Sequence, residues 1–576
     1  MHIVTADNNR IQEYTTKGWW GSETLASLFD TAVAACPNRL ALTDPPNKNN
    51  LVGFAPQRLT YCELERVVNR VCWAFQSLGL QQYDRVVVQM PNTVEIVAVY
   101  LAAAKMGVIV SPVAMQYRHK ELESIVATVE PRACLFFSEF EGEDCTTHLR
   151  AQFSTYSKSI VFGSETMPAW ISDQHSSRDI EYFDETRLYC TEENRIAKCD
   201  LKFANSSAND IFTICWTSGT TGRSKGVPRS HNHWLSTALT TLEASQLREA
   251  DSLLNPFPLI NMASIGGFLY VWLQLKSKLV LHHPFDAEIF LSQLQSEEVS
   301  YTIAPPALLN LLLAQRKELL SKFDLSNLRC IGSGSAPLAP EMIKGFKQHL
   351  GIEVLNFFGS NEGMAIVGAP QDVADSESRA LYFPRFGADG FQWSNEGGNR
   401  FQSKLVDLDT GKQVEVPDVV GELLISGPTV FDGYYRAEQD NAVAFTKDGF
   451  FRTGDLFEIA GDKNQYYRFV GRCKDLIVRG GFNISPEEID MVLQSHPKVI
   501  EGAVCSYPDE ILGEKICAVL VLQQGEYLSI EELGEYMQSR GLAKFKWPEK
   551  IVVVDALPRN PLNKVPRAEL SSFIAS

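Results

Sequence analysis

VVVQMPNTVEIVAVYLAAAKMGVIV, residues Val86 to Val110, decides the fold. Val86-Val87-Val88 is an unbroken β-branched run, the pattern of a strand buried on both faces. Glu95 to Met106 is long enough and apolar enough for a helix, and Gly107 can close it. Val108-Ile109-Val110 is then a second strand. Strand, helix and strand in this order make a βαβ unit, which requires parallel pairing.

The same rhythm continues on both sides. Upstream, Leu64, Val67, Val68, Val71, Phe75 and Leu78 recur at helical spacing before Gly79. Downstream, Leu279-Val280-Leu281 and Tyr301-Thr302-Ile303 predict strands around a helix from Ala287 to Leu294. Leu328 to Ile331 predicts another strand, ending in a turn at Gly332-Ser333-Gly334. Two α/β sheets side by side follow. Between about 400 and 470 short strands and turns predict a small β subdomain: Leu423-Leu424-Ile425, Gly449-Phe450-Phe451, Tyr466 to Val470. Beyond Gly471 the pattern is compact α+β. Strands are expected at Leu476 to Val478, Ala518 to Leu522 and Ile551 to Val554, and helices at Pro486 to Leu493 and Ile530 to Met537. The expected class is α/β, with a large N-terminal domain (1–471) of two α/β subdomains and a β subdomain. A hinge (472–475) and an α+β C-terminal domain (476–576) complete it.

Composition narrows the function classes. A chain of 576 residues holds roughly three to five domain-sized units, fewer if one α/β unit is large. At 45% hydrophobic and 21% charged it has the mix of a soluble globular enzyme. A formal charge of −17 with no dense basic stretch repels a phosphate backbone, so no nucleic acid partner is expected. The 12 cysteines form no CxxC, HExxH is absent and His282-His283 is the sole histidine doublet, so reduced thiols and no zinc are expected. The most apolar stretch, Ile96 to Met115, is interrupted by Lys105, Ser111 and Pro112, which fits a helix and a buried strand and not a membrane span. The first residues lack a basic region leading into an apolar run, and FIAS is not a peroxisomal ending, so a cytoplasmic location is expected.

The strongest local feature is Thr217-Ser218-Gly219-Thr220-Thr221-Gly222-Arg223-Ser224-Lys225-Gly226, which follows a strand from Ile211 to Trp216. Its glycines permit tight turns that present backbone N–H groups, its hydroxyls add donors, and Arg223 and Lys225 add charge. Such a loop suits a polyphosphate. It is not a Walker loop, because Gly follows Lys225 where Ser or Thr would be needed.

This string resembles the signature loop of the adenylate-forming superfamily, which includes acyl-CoA synthetases, peptide-synthetase adenylation domains and luciferases. Other motifs of that superfamily follow in order. Phe358-Gly359-Ser360-Asn361-Glu362 is similar to YGxTE. The resemblance implies that Phe358 stacks on adenine, Asn361 meets the α-phosphate through its amide, and Glu362 holds Mg²⁺. Gly334-Ser335-Ala336-Pro337 resembles GGAP, lining the adenine and acyl sites. Thr453-Gly454-Asp455 matches TGD, with Asp455 on the ribose hydroxyls. Gly471-Arg472-Cys473-Lys474-Asp475 matches GRxKD, with Arg472 on ribose and Lys474 at the pivot between domains. Gly480-Gly481-Phe482-Asn483-Ile484 is similar to the motif placing Gly481 at the pantetheine tunnel. Leu557 to Arg567 resembles LPRTxxGKxxR, which makes Lys564 the catalytic lysine bridging carboxylate and α-phosphate; Asn563 stands where the family has Gly. The similarity runs from Leu59-Thr60-Tyr61-Cys62-Glu63-Leu64 to Arg567. It implies ATP, Mg²⁺ and CoA as the small molecules, a carboxylic acid as substrate and a mobile C-terminal domain.

The acid is less clearly marked. The family's PLxH segment reads Phe257-Pro258-Leu259-Ile260-Asn261-Met262-Ala263, with Asn261 at the gate position and Met262 beside it. No acid lies here to pair a substrate ammonium, which disfavours an α-amino acid. Phe257, Met262, Ile265 and Phe268 suit an aromatic, alicyclic or medium-chain acid, although they also suit an ordinary core. An acyl-CoA synthetase is the expectation. An acyl carrier protein or an amine as acceptor, and a non-catalytic nucleotide-binding regulator, remain alternatives.

Overall fold

The computed structural model describes residues 5–145, 158–163, 180–189, 201–217, 224–334, 336–480, 482–509, 511–560 and 565–574. Val86 to Val110 folds as the βαβ pattern requires. Strand Arg85–Gln89 lies parallel to Ile109–Pro112, joined by helix Val94–Met106. All thirteen residues of that helix are buried, Glu95 and Lys105 included. The main core around it draws on both large sheets, for example Val86 and Ala133 from one and Leu253 and Tyr301 from the other.

Burying Glu95 requires compensation. Lys48, fully buried, gives its ammonium to Asp44 at 2.6 Å and to Glu95 at 2.7 Å. Asp44 also accepts from Val94 N (2.7 Å), so it caps the central helix. Removing one member of such a cluster leaves an uncompensated buried charge. Just before the helix, Asn92 bonds Phe257 O (2.7 Å) and Leu259 N (2.9 Å), fixing the segment expected to face the acyl group.

The first sheet has seven strands, in spatial order Lys225–Ser230, Ile211–Thr217, Ile109–Pro112, Arg85–Gln89, Ala133–Phe137, Ser159–Phe162 and Ile180–Phe183. It is parallel except where Lys225–Ser230 doubles back on Ile211–Thr217, with Thr217 opposite Lys225. The second has eight strands: Ala365–Gly368, Glu353–Gly359, Cys330–Gly334, Tyr301–Ile303, Ser252–Asn255, Lys278–Leu281, Leu40–Thr43 and Arg58–Thr60. Here one expectation fails. Gly332-Ser333-Gly334 is not a turn but continues the strand, with Gly334 opposite Phe357. A Cβ at Gly334 would collide with the Phe357 carbonyl oxygen, so glycine lets the two strands run on side by side.

The β subdomain is a six-stranded antiparallel sheet ending with Phe451–Ala460 and Tyr466–Arg472. Its core takes in Val227, Met364 and Ile366 from the edges of the two larger sheets. After a turn at 473–475 comes the last sheet, of five strands. Its centre is the long hairpin Val499–Asp509 and Gly513–Leu522, flanked by Ile477–Arg479 and, in parallel, Lys550–Val553. Among the described residues no helix is long and apolar enough to cross a membrane.

Candidate active site

The flanks of the glycine-rich loop, the Phe358–Glu362 segment, Met262 and the strands carrying Asp455 and Arg472 are joined by direct contacts. Residues 218–223 of the glycine-rich loop, Ser335, Gly481 and Lys564 lie outside the described residues; the groups that frame them are described. Thr217 and Lys225 close the base of the loop hairpin as opposed residues of the ladder. Lys225 is paired with Asp440 (2.6 Å) on helix Glu438–Ala444 and stands over the Tyr434 ring, 4.8 Å from its centroid. The Tyr434 hydroxyl donates to Glu362 Oε1 at 3.0 Å. Burial, reinforced by the charge of Glu362, pushes the Tyr434 pKa upward, so it stays a donor.

Asn361 is committed more deeply than the sequence suggests. Its amide donates to Trp216 O (3.2 Å), at the entry to the glycine-rich loop, and its carbonyl accepts from Met262 N (2.9 Å). Its own main-chain oxygen accepts from the buried Arg229 guanidinium at 2.8 Å. Burial lowers the Arg229 pKa to about 10, which leaves it a cation at neutral pH, beneath Glu362. Arg229 also bonds Thr237 and His233 O and lies over the Trp234 ring.

Asn261, expected at the gate position, makes a local contact. It caps helix Met262–Ser264, its side-chain oxygen accepting from Ser264 N (3.3 Å). A π-helical turn, Ile265–Tyr270, continues from there, a distortion that recurs at functional sites. Within it Ile265 and Phe268 are fully buried in the main core, and Phe268 stacks on Tyr301. Met262 stays 8% exposed, and its sulfur would lie 3.7 Å from a Cβ at exposed Gly359. Of the four apolar candidates, Met262 and half-buried Phe257 keep some exposed surface.

Phe358 is half-buried, with Phe383, Phe457 and Phe469 at centroid distances of 5.8, 5.2 and 4.9 Å. Phe457 and Phe469 stand on the two strands that carry Asp455 and Arg472. Those two face each other across the ladder and form an ion pair at 3.1 Å (Arg472 Nε to Asp455 Oδ1). Lys474 occupies the turn that follows, and Ala336 is exposed beyond the Gly334 strand. Tyr434, Asp440 and Arg229 were not foreseen. Tyr434 lies 72 residues from Glu362 and Arg229 lies 132 from Asn361, and no local spacing marks these links.

The fold and this constellation define an adenylate-forming ligase. Residues 29–435 match the AMP-binding enzyme family and residues 488–564 the AMP-binding enzyme C-terminal domain, and the chain belongs to that family. Among its relatives, 2,3-dihydroxybenzoate-AMP ligase of Bacillus subtilis is 26% identical over 98% of this chain and 96% of its own. Medium-chain fatty-acid–CoA ligase of Escherichia coli is 27% identical over 98% and 92%. Among solved structures, ATP-bound MatB from Rhodopseudomonas palustris superposes with a TM-score of 0.75, at 26% identity over 96% and 99% of the two chains.

Proposed function

We propose that the protein converts an apolar carboxylic acid, aromatic, alicyclic or medium-chain, into an acyl adenylate, releasing pyrophosphate, and then passes the acyl group to CoA. The observation that carries this reading is the double commitment of Asn361, which ties the base of the phosphate loop at Trp216 to the acyl-side segment at Met262. One residue thereby sets the register between the site of ATP and the site of the acid, and a near-attack arrangement depends on that register.

The donor set suits Mg²⁺. Glu362 offers hard carboxylate oxygen, and among the described residues no cluster of three or more potential ligands could cage a metal alone. Mg²⁺ is ordinarily held by one or two carboxylates together with substrate phosphates and water. Bound at Glu362, it would neutralise phosphate charge as pyrophosphate departs. The protein's own groups divide the rest. Lys225 and the loop amides hold the phosphates, Phe358 faces adenine, and Asp455 with Arg472 holds the ribose. Lys564 stabilises the transferring phosphate while the acid's oxygen attacks the α-phosphorus and the bond to pyrophosphate breaks. In the second half-reaction the CoA thiolate attacks the acyl carbonyl beside Gly481, and AMP leaves with the electron pair of the acyl–phosphate bond.

The acceptor is the finer part of the proposal, since an AMP ligase and a CoA ligase resemble this chain about equally. The joint presence of Lys225, Glu362, Asp455, Arg472 and Lys564 weighs against a non-catalytic regulator. Pyrophosphate release from ATP and Mg²⁺ across a panel of carboxylic acids, with and without CoA, tests it. Release that rises with CoA, with acyl-CoA seen by mass, is the expected result. Release indifferent to CoA would move the acceptor to a carrier-protein phosphopantetheine or an amine, and no release with any acid would mean a panel without the true substrate or a fold kept for binding alone, which a broader panel separates.

A further inference from the structure

Glu362 and Tyr434 are held from behind by a strap of chain, residues 427–435, and that strap is held in turn by the N-terminal helix. On its inner side, Phe431 N donates to Glu362 O (2.9 Å) and Thr429 Oγ1 donates to Gly363 O (2.7 Å). Gly363 has φ +111°, and a Cβ there would run into the Thr429 carbonyl, so strap and motif are in backbone contact. The strap then delivers Tyr434 to Glu362, and Tyr435 N donates to Gly226 O (2.8 Å), next to Lys225.

On the outer side stands Arg10 of helix Asn8–Thr16. Its guanidinium makes three strap contacts: Nη1 to Asp432 Oδ1 (2.5 Å), Nη2 to Gly427 O (2.9 Å) and Nη2 to Val430 O (2.6 Å). Thr5 Oγ1 reaches the other Asp432 oxygen (3.0 Å), and Trp20 Nε1 donates to Pro428 O (3.2 Å). Asp432 is 8% exposed, and Arg10 is sandwiched near the rings of Tyr14 and Trp20. His233, whose Nε2 lies 3.5 Å from Asp432, is kept neutral by burial, which leaves Arg10 and not His233 to balance that carboxylate. A planar fork that satisfies one carboxylate and two carbonyls at once fixes an orientation, which a lysine's single ammonium does less well.

We propose that Arg10 is a positioning residue for the metal–triphosphate part of the site: from the N-terminal helix it sets the strap, and the strap sets Glu362 and Tyr434. This rests on Glu362 being the carboxylate that meets Mg²⁺. Nothing in the conserved-looking motif strings points to residue 10, which is 422 residues from its acidic partner. The proposal separates from a merely structural role because the guanidinium bonds of Arg10 end on Gly427, Val430 and Asp432, whereas Asp455 and Arg472, proposed to serve the ribose, pair with each other on two other strands.

Calorimetric titration of the full chain with ATP in Mg²⁺, ATP in EDTA, and AMP tests it, comparing wild type with Arg10→Met and Arg10→Lys. The expected result is that Arg10→Met loses about tenfold in affinity for ATP with Mg²⁺, a typical coupling between linked sites. AMP binding and ATP binding in EDTA should stay within about twofold of wild type. Arg10→Lys should fall between, and it decides the matter if Arg10→Met does not fold by circular dichroism. Equal losses for all three titrations, or none, would overturn the inference. A wild-type protein whose ATP affinity gains nothing from Mg²⁺ would overturn the Glu362 assignment itself and the inference with it, a failure visible without any variant.

Discussion

At Asn361 the two ends of one amide serve two segments, at Trp216 and at Met262. A threonine would have to donate and accept through one hydroxyl oxygen, whereas the Asn361 amide divides the two roles between separate atoms. The departure from the family pattern is therefore compensated locally, and it alters what holds the acyl-side segment. A second residue with a measurable consequence is His231. Its ring stacks on Phe212 at 4.5 Å, and its Nδ1 accepts from Tyr270 OH (2.6 Å) and Leu25 N (3.3 Å). Protonating Nδ1 would forfeit both bonds, and burial lowers the pKa from 6.5 to about 3. An unfolded chain takes up this proton as pH falls below about 6.5 while the native chain does not, so stability present at neutral pH is lost through the window down to about 3. The slope approaches about 1.4 kcal/mol per pH unit for one histidine. His283, lowered to about 4 by burial, adds in the same direction. His231→Gln should reduce proton uptake on urea unfolding at pH 5 by close to one proton. Unchanged uptake would mean that His231 already titrates in the native protein.

The elements show which parts of the sequence carry their own instructions. Helix Tyr61–Ser77 has both its apolar periodicity and its capping box, with Thr60 and Glu63 bonded reciprocally, and sequence pattern alone places it. Strand Val499–Asp509 escapes that kind of reading because Gly502 and Pro508 punctuate it; its ladder with Gly513–Leu522 supplies what local propensity lacks. The run Gly332 to Gly334 misleads for the opposite reason, since glycines that normally mark a turn are here the condition for a close strand pair. The π turn at Ile265–Tyr270 carries no periodic signal, because every residue in it is buried. In the site, contiguous motifs single out residues that a pattern can show, whereas Tyr434, Asp440 and Arg10 make their contacts across the chain and no pattern marks them. Gly363 follows directly on the Phe358–Glu362 motif, and the strap explains it. Gly363→Ala should cost about 1–3 kcal/mol, the usual scale for a side chain forced into a left-handed or clashing backbone. A urea denaturation curve indistinguishable from wild type would show that the strap can move away from residues 361–363.

For the whole molecule the question raised by the proposed function is how one site would perform two half-reactions, and the last sheet and its helix are the part of the chain that would have to move. Arg567 binds Asp490 (2.6 Å) and Glu487 (3.0 Å) on helix Pro486–Gln494, and Val504 O (2.8 Å) on the central hairpin. Lys564 is three residues earlier in the sequence, at most about 11 Å of extended chain. The same helix touches the β subdomain through Ser485, whose hydroxyl donates to Val470 O and to Glu487 (3.0 Å for the latter). The turn at 473–475 joins the two, and if it acts as a hinge a change of a few backbone angles there would turn the C-terminal unit. If Lys564 serves adenylation and rotation about Lys474 serves thioester formation, two variants should fail in opposite halves. Lys564→Ala should slow acid-dependent pyrophosphate release by about 10²–10³-fold, the scale of losing one preorganised charge at a transition state. It should still convert supplied acyl-AMP and CoA to thioester. Lys474→Pro, with φ locked near −65°, should release pyrophosphate once and then stall with acyl-AMP bound. Rapid-quench assays of the separate half-reactions read both, and equal damage to the two halves in either variant would mean that the lysine or the turn is needed for the fold and not for the alternation.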